Sequence, residues 1–215
     1  MSEGDKPKGC KVVLLGDSGV GKTCIISRYI SGTFDSNSAS TNGASYASKS
    51  ITYDNLGGRS LLLDIWDTAG QEKYKALTKF FYKDAAVAIL VYDITLRQSF
   101  DNVKEYWYEQ IKENGVKNIV LGIAGNKCDL YEEEAVPENE AREFAASIGA
   151  IFGLTSAQNN TGINELFADV GNKYLDPSFQ QKVQDEKGEK DDSKGQTIVL
   201  DQNSTKKEKK KKSFC

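Results

Sequence analysis

The residues best suited to chemistry stand in a glycine-rich segment near the start of the chain. Residues 16–23 read GDSGVGKT, which has the spacing of a phosphate-binding loop between a strand and a helix. Its glycines allow successive backbone N–H groups to point at one anion, and the start of the following helix adds a positive dipole. Lys22 can reach β- and γ-phosphates, and the Thr23 hydroxyl can bind Mg²⁺. The segment predicts a nucleoside triphosphate site without naming the base.

Two later segments indicate which base is bound. Asn126-Lys127-Cys128-Asp129 follows an apolar run at residues 119–124, and the carboxyl ends of such strands bind ligands in open α/β sheets. The Asp129 carboxylate can accept hydrogen bonds from the ring N–H and the 2-amino group of guanine, which adenine does not offer. The tripeptide TSA at residues 155–157 follows another apolar run and supplies backbone N–H groups for the base oxygen. Together these segments predict guanine.

A third segment, DTAGQ at residues 67–71, is suited to hydrolysis. Asp67 is placed to hold the metal through water, the Gly70 N–H to contact a γ-phosphate, and Gln71 to orient an attacking water. A strand end capped by an Asx turn would look similar on its own. Its place between the phosphate and base motifs favours the catalytic interpretation.

Short apolar runs alternate with helical patterns around these motifs. Strands are predicted at residues 11–15, 61–66, 85–92, 119–124 and 150–154, and helices at residues 21–30, 100–111, 141–148 and 163–174. The strand runs lack polar alternation, which is typical of a parallel sheet covered by helices on both faces. A hairpin turn at residues 54–58 adds one antiparallel strand. The predicted fold class is therefore α/β.

Composition excludes several kinds of site. The absence of histidine excludes His-dependent nucleophile triads and most zinc, copper and haem sites. With 28 basic and 31 acidic residues, the net charge of −3 argues against a general nucleic-acid binder. The four cysteines are scattered and the first residues do not read as a signal peptide, which favours a reducing, cytosolic compartment. The longest apolar run is far too short to span a membrane.

The charge balance changes near residue 180. Residues 1–179 carry a net charge of −6, whereas residues 180–215 are lysine-rich and carry +3. So polar a segment buries too little apolar surface to offset its chain entropy. We therefore predict a folded domain at residues 9–176 and a flexible tail at residues 177–215.

The motifs together resemble the Ras superfamily, and most closely its Rab branch. The resemblance rests on GDSGVGKT, WDTAGQE, NKCDL and TSA in that order, with FYKDA at residues 81–85 and LVYDIT at residues 90–95. It implies a P-loop GTPase domain with a six-stranded, mostly parallel sheet and five helices, which binds GTP or GDP with Mg²⁺. It also implies two nucleotide-sensing switch loops at residues 34–46 and 67–82. Residues 40–44 resemble the effector segment of the early-endosomal Rabs.

Motifs and resemblance together define the predicted site. The catalytic residues are Gln71, Lys22 and Thr41, and the metal ligands are Thr23, Thr41 and Asp67. The resemblance supplies the role of Thr41 as second hydroxyl ligand and places Phe34 near the ribose. The predicted GTP-binding residues are Gly16, Asp17, Ser18, Gly19, Val20, Gly21, Lys22, Thr23, Cys24, Phe34, Thr41, Asp67, Gly70, Asn126, Lys127, Asp129, Leu130, Ser156, Ala157 and Gln158.

Three positions depart from the family pattern. Asn42 stands where the family usually has Ile, Tyr46 where it has Phe, and Gln158 where it has a base-contacting Lys. The first two alter a surface that effectors read by apolar contact, and the third removes a charge beside the base.

The predicted function is a GTP/GDP switch that hydrolyses GTP slowly and recruits effectors in vesicle trafficking. Its expected partners are an exchange factor, a GTPase-activating protein (GAP) and effectors, all acting through the switch loops. Lysines 206, 207 and 209–212, with a lipid on Cys215, predict reversible attachment to the cytosolic face of an endosomal or other endomembrane. Two alternatives stay open: a GTP-binding interaction module with negligible turnover in a larger assembly, and a P-loop kinase or ATPase, which the NKCD motif disfavours.

Overall fold

The computed structural model describes residues 7–36, 44–68, 82–114 and 118–181. Strands and helices alternate along these ranges. The strands are β1 (Lys8–Leu15), β2 (Ala44–Tyr53), β3 (Arg59–Thr68), β4 (Val87–Asp93), β5 (Val120–Asn126) and β6 (Ile151–Thr155). The helices are α1 (Lys22–Ser31), α2 (Arg97–Asn102), α3 (Tyr108–Asn114), α4 (Glu138–Ser147) and α5 (Ile163–Leu175).

The strands form one sheet in the order β2-β3-β1-β4-β5-β6. Neighbouring strands from β3 to β6 run parallel. The β2–β3 pair is antiparallel, with Ala44 opposite Thr68 and Tyr53 opposite Arg59. The α/β class and the antiparallel hairpin predicted from the sequence are confirmed. Because β1, β5 and β6 are parallel, the loops that follow them emerge at the same edge of the sheet.

Helices cover both faces of the sheet. On one face α1 packs beside α5, where the rings of Tyr29 and Phe167 stack with centroids 3.9 Å apart. On the other face α2, α3 and α4 cover β4 and its neighbours. Every residue of β4 is buried, as expected for a central strand covered on both sides. These two apolar layers fix the sheet edge at which the motif residues stand.

The helix predicted over residues 100–111 contains an irregular turn. Between α2 and α3 lies a π-helical turn, Val103–Trp107, in which the Tyr108 N–H donates to the Val103 carbonyl five residues back. The side chains of Phe100, Val103, Trp107 and Ile111 are buried, as their spacing predicts. The apolar spacing therefore identified the buried face but not the wider turn within it.

Strand β2 lies at the outer edge of the described sheet, followed by the turn Asp54–Leu56. Its Lys49 side chain points inward, where Nζ donates to the Tyr29 carbonyl over 2.6 Å. At the other end of the domain, residues 177–181 form a helical turn beyond α5, with the Phe179 ring against Tyr174. No helix in the four described ranges is long and apolar enough to cross a lipid bilayer.

Candidate functional site

A cavity of about 300 Å³ opens at the carboxyl edge of the sheet. The loop after β1 and the start of α1 form one end, and the loops after β5 and β6 form the other. Its lining residues are Ser18, Gly19, Gly21, Lys22, Thr23, Cys24, Phe34, Asp35, Ser36, Thr68, Asn126, Lys127, Asp129, Leu130, Ala157 and Gln158. The structure thus brings the predicted phosphate and base motifs together around one space.

The loop after β1 needs glycine where it meets the start of α1. Gly21 has φ 95°, in the left-handed region that side chains disfavour. A Cβ on Gly21 would also lie 2.3 Å from the Asn126 side-chain nitrogen. That nitrogen donates to the Val20 carbonyl over 2.8 Å, so β5 directly braces the loop. Glycine is therefore required at position 21 by both conformation and space.

Lys22 lies in the floor of the loop and is only 5% exposed. Its Nζ donates to the Gly16 and Asp17 carbonyl oxygens, each over 2.7 Å. Burial lowers the pKa of Lys22 to about 8, an effect that the Asp67 and Asp17 carboxylates partly oppose. The loop thus encloses an ammonium group that an anion in the cavity would help to keep charged.

Thr23 and Asp67 bring two hard oxygen donors together. The Thr23 hydroxyl donates to Asp67 Oδ2 over 2.6 Å, and Asp67 is 1% exposed at the end of β3. Mg²⁺ is commonly bound through one or two protein oxygens, with phosphate oxygens and waters completing its octahedron. In the described residues no group of three or more His, Cys, Asp or Glu could hold a metal alone. This donor set fits a metal that is bound jointly with a phosphate.

At the far end of the cavity, two side-chain hydrogen bonds join the end of β6 to the end of β5 and the loop after it. The Ser156 hydroxyl donates to Asp129 Oδ1 over 2.6 Å. The Thr155 hydroxyl donates to the Asn126 side-chain oxygen over 3.1 Å. Ser156, Thr155 and Asn126 are almost completely buried, so these contacts position Asp129 against the cavity wall. A fixed carboxylate is suited to accepting hydrogen bonds from the edge of a base.

Lys127 is oriented by a carboxylate on the neighbouring strand. Its backbone adopts φ 64°, and its Nζ lies 2.6 Å from Oδ2 of Asp93 at the end of β4. The other oxygen of Asp93 accepts hydrogen bonds from the Thr95 N–H and hydroxyl over 2.9 and 2.8 Å. The ion pair therefore holds the Lys127 side chain along one wall of the cavity.

Arg28 joins α1 to the loop after β6. Its Nε donates to the Ala157 carbonyl over 2.7 Å, and its Nη2 donates to the Gln158 carbonyl over 3.1 Å. The guanidinium carbon also lies 5.9 Å from the centre of the Phe34 ring. One side chain thus sets the positions of three cavity residues that the sequence had predicted.

Some predicted residues support the cavity from behind. Gly16, Val20, Asp67 and Ser156 are buried in its walls, and the Asp17 carboxylate faces the α2–α3 helix. Several predicted residues lie outside the described ranges: Thr41, Gly70, Gln71, Cys215 and lysines 206, 207 and 209–212. Asn42, which departs from the family pattern, lies outside them too.

Sequence reasoning missed two groups of residues. Asp35, Ser36 and Thr68 line the cavity; Asp35 and Thr68 directly follow the predicted residues Phe34 and Asp67, and Ser36 follows Asp35. Adjacency was thus the available signal. Arg28 and Asp93 act through contacts that are remote in sequence. Asp93 stands in the LVYDIT segment, but no motif predicts its contact with Lys127 or that of Arg28 with Ala157.

Comparison with known proteins finds one family. The model of the Ras family matches residues 11–176. Ras-related protein Rab-22A of Homo sapiens is 46% identical over 163 residues, which are 76% of this chain and 82% of the relative. Ras-related protein Rab-31 of Homo sapiens is 46% identical over 169 residues, or 78% and 85% of the two chains. Ras-related protein RABA4a of Arabidopsis thaliana is 43% identical over 160 residues, or 74% and 69%.

Proposed function

The chain belongs to the Ras family and, within it, to the early-endosomal branch of the Rab GTPases, and on that premise we propose how its residues bind and hydrolyse GTP. It is a Rab GTPase of membrane trafficking that converts GTP to GDP and phosphate. The observation that carries the proposal is a cavity that has the GDSGVGKT loop at one end and Asp129 at the other.

At the phosphate end, backbone N–H groups of residues 18–23 bind the phosphate oxygens together with the Lys22 ammonium. Thr23 and Asp67 hold Mg²⁺, Thr23 directly and Asp67 through water. When bound, the ion neutralises charge that develops between the β- and γ-phosphates. The 2.6 Å contact between Thr23 Oγ1 and Asp67 Oδ2 supports this assignment, because it brings both donors to one point.

At the base end, Asp129 accepts hydrogen bonds from the guanine ring N–H and 2-amino group. Asn126 braces the phosphate loop, while Lys127, Leu130 and the aliphatic part of Gln158 cover the faces of the base. The backbone N–H of Ala157 donates to the base oxygen, and Phe34 lies beside the ribose. All of these residues line the cavity, which supports their assignment to the ligand.

For hydrolysis we propose that Gln71 orients the attacking water, the Gly70 N–H contacts the γ-phosphate, and Thr41 completes the metal site. The sequence offers no arginine placed to assist, so a GAP would supply one. Such an arginine increases turnover by roughly 10³- to 10⁵-fold.

Two measurements test the proposal. Guanine nucleotide should be released when the purified protein is denatured, whereas adenine nucleotide would contradict the base assignment. In single turnover, Gln71→Leu should retain GTP and hydrolyse it far more slowly than the parent, and Gln110→Leu on α3 is the matched control. Equal hydrolysis rates in Gln71→Leu and the parent would show that Gln71 does not orient the water.

We propose that effectors contact the surface formed by switch loops 34–46 and 67–82 and the adjoining strands. Tyr46 is 56% exposed there, and its ring meets Trp66 edge-on with centroids 5.5 Å apart. The Tyr46 hydroxyl donates to Asp64 Oδ1 over 2.6 Å, which raises the pKa of Tyr46. Lys11 Nζ lies 5.4 Å from the centre of the Trp66 ring. The Tyr46 hydroxyl and the Asp64 carboxylate make the surface polar where the family carries Phe. We therefore expect effectors to form a hydrogen bond with this pair.

We also propose that the domain at residues 9–176 is attached to an endosomal or other endomembrane by the tail at residues 177–215. A lipid on Cys215 would supply the apolar contribution, and lysines 206, 207 and 209–212 would attract an anionic leaflet. The mass of the C-terminal peptide from native protein tests this directly. An unmodified Cys215 in membrane-bound protein would contradict the lipid anchor.

A further inference from the structure

The Asp17 carboxylate accepts hydrogen bonds from two side chains of the helix formed by α2, the π turn and α3. Asn102 Nδ2 donates to Asp17 Oδ2 over 2.6 Å, and Trp107 Nε1 donates to Asp17 Oδ1 over 2.8 Å. Each carboxylate oxygen therefore has its own donor. Trp107 is 1% exposed, so its indole N–H is held in place by the surrounding core. We call this set of three residues the Asp17 clamp.

The π turn makes the clamp possible. Asn102 and Trp107 are five residues apart, and in a regular α-helix of 3.6 residues per turn they would point about 140° away from each other. In a π turn, residues five apart are joined by the backbone hydrogen bond and stand one turn apart. The turn Val103–Trp107 begins directly after Asn102 and ends at Trp107, and its Tyr108-to-Val103 bond closes the wider ring. The widened turn thus brings both donors to one side.

The clamp leads directly to the phosphate loop. The backbone carbonyl of Asp17 accepts a hydrogen bond from Lys22 Nζ over 2.7 Å. Fixing the Asp17 side chain therefore fixes one of the two carbonyls that aim the Lys22 ammonium. It also turns a carboxylate away from a loop that must receive phosphate anions.

We propose that Asn102 and Trp107 are positioning residues for nucleotide binding, which act through Asp17 on Lys22. The π turn serves to keep both of them on Asp17. This inference rests on the proposed phosphate site and extends it to a helix that does not line the cavity. Because Lys22 is assigned to the β- and γ-phosphates, loosening the clamp weakens the binding of those phosphates and spares the base.

The experiment compares GDP with GMP, which keeps the guanine base but lacks the β-phosphate. Both compete with a fluorescent GDP analogue for the full-length protein. Asn102→Leu and Trp107→Phe each remove one donor while retaining most of the side-chain volume. Their matched controls are Asn114→Leu at the end of α3 and Trp66→Phe on β3. Urea unfolding of each variant measures stability in parallel.

We expect each clamp variant to bind GDP about tenfold more weakly while its affinity for GMP stays at the parental value, since one charge-assisted hydrogen bond is lost. The controls keep the parental ratio of the two affinities. A variant that loses only stability would weaken both ligands equally, and that result would overturn the inference. So would clamp variants with the parental ratio.

A swap of partners gives a second test. Asp17→Asn places an NH₂ donor against the Asn102 NH₂ group, whose own oxygen accepts from Gln98 Nε2 over 3.1 Å, and the GDP-to-GMP preference should fall. Adding Asn102→Asp restores a donor–acceptor pair and should recover the preference. A double variant no better than Asp17→Asn alone would overturn the inference. If the parent itself held GDP no better than GMP, the proposed phosphate site would fail first and the clamp with it.

Discussion

Replacing Asp129 with Asn should change which base the protein selects. The Ser156 hydroxyl donates to Asp129 Oδ1 over 2.6 Å, and an Asn side-chain oxygen can accept the same bond. The fold around residue 129 should therefore survive. The second carboxylate oxygen becomes an NH₂ donor, which now faces the N–H groups of guanine. Xanthine carries a carbonyl in place of the 2-amino group, so the new donor matches it.

The size of the effect follows from the bond that is lost. A hydrogen bond to a charged group contributes about 1.5–3 kcal/mol. At about 1.4 kcal/mol per factor of ten, GDP affinity should fall by about 10- to 140-fold. Xanthosine diphosphate should bind the variant more tightly than GDP does. Competition of both nucleotides against a fluorescent analogue measures the two affinities on one preparation.

The control is Asp54→Asn in the exposed β2–β3 turn, which removes the same charge far from the cavity. It should leave both affinities at the parental values. Unchanged GDP affinity in Asp129→Asn would show that this carboxylate does not contact the base. An equal loss for both bases would show that the substitution damages the loop instead of its selectivity.

Three further predictions concern the cavity. Because burial lowers the pKa of Lys22 to about 8, GDP affinity should be constant below pH 8 and fall above it as the ammonium deprotonates. GDP titrations on both sides of pH 8 measure this, and an affinity that rises with pH would contradict it. Cys24 lines the cavity, so bound GDP should protect it from alkylation. Burial raises the pKa of Cys10 to about 12, so Cys10 should stay unreactive with and without GDP. Peptide masses after alkylation report the modification of each cysteine. Asp93→Asn keeps an oxygen that can accept hydrogen bonds from Thr95 but removes the negative charge that pairs with Lys127. Fluorescent GDP should therefore dissociate about three- to tenfold faster from this variant. An unchanged dissociation rate would show that the ion pair does not contribute to nucleotide binding.

Much of the fold follows from apolar patterning, and the exceptions have local causes. The sequence predicts that the fifth strand ends at residue 124, because Gly and Asn disfavour strands. In the structure Gly125 and Asn126 continue β5 opposite Leu154 and Thr155. A Cβ on Gly125 would lie 2.6 Å from the Tyr92 hydroxyl oxygen, so the position demands glycine for its neighbours. Such a requirement is visible only once the neighbouring strand is in place.

The candidate site was predictable where chemistry fixes the residue type at a fixed spacing. The phosphate loop and the NKCD segment are of this kind, and their residues meet around one cavity. The supporting contacts were not predictable, because Arg28 reaches Ala157 and Asn102 reaches Asp17 across long separations in sequence. The π turn escaped prediction for a related reason. Buried residues at spacings of three and four fit a regular α-helix as well as they fit a helix with a π turn. Only the contacts of the helix with Asp17 distinguish the two.

The inward-pointing Lys49 has a consequence for self-association. An outer strand of ten residues offers a row of backbone groups that a strand of a second molecule could join. Lys49 stands in the middle of that strand, with its ammonium 3.9 Å from the centre of the Tyr29 ring and bonded to the Tyr29 carbonyl. A strand that paired with β2 there would lie close to the Lys49 ammonium, which already binds Tyr29 of its own domain. Ser48 and Ser50, on either side of Lys49, are not among the residue types that favour strands. This edge therefore disfavours pairing with a strand of a second copy of the chain.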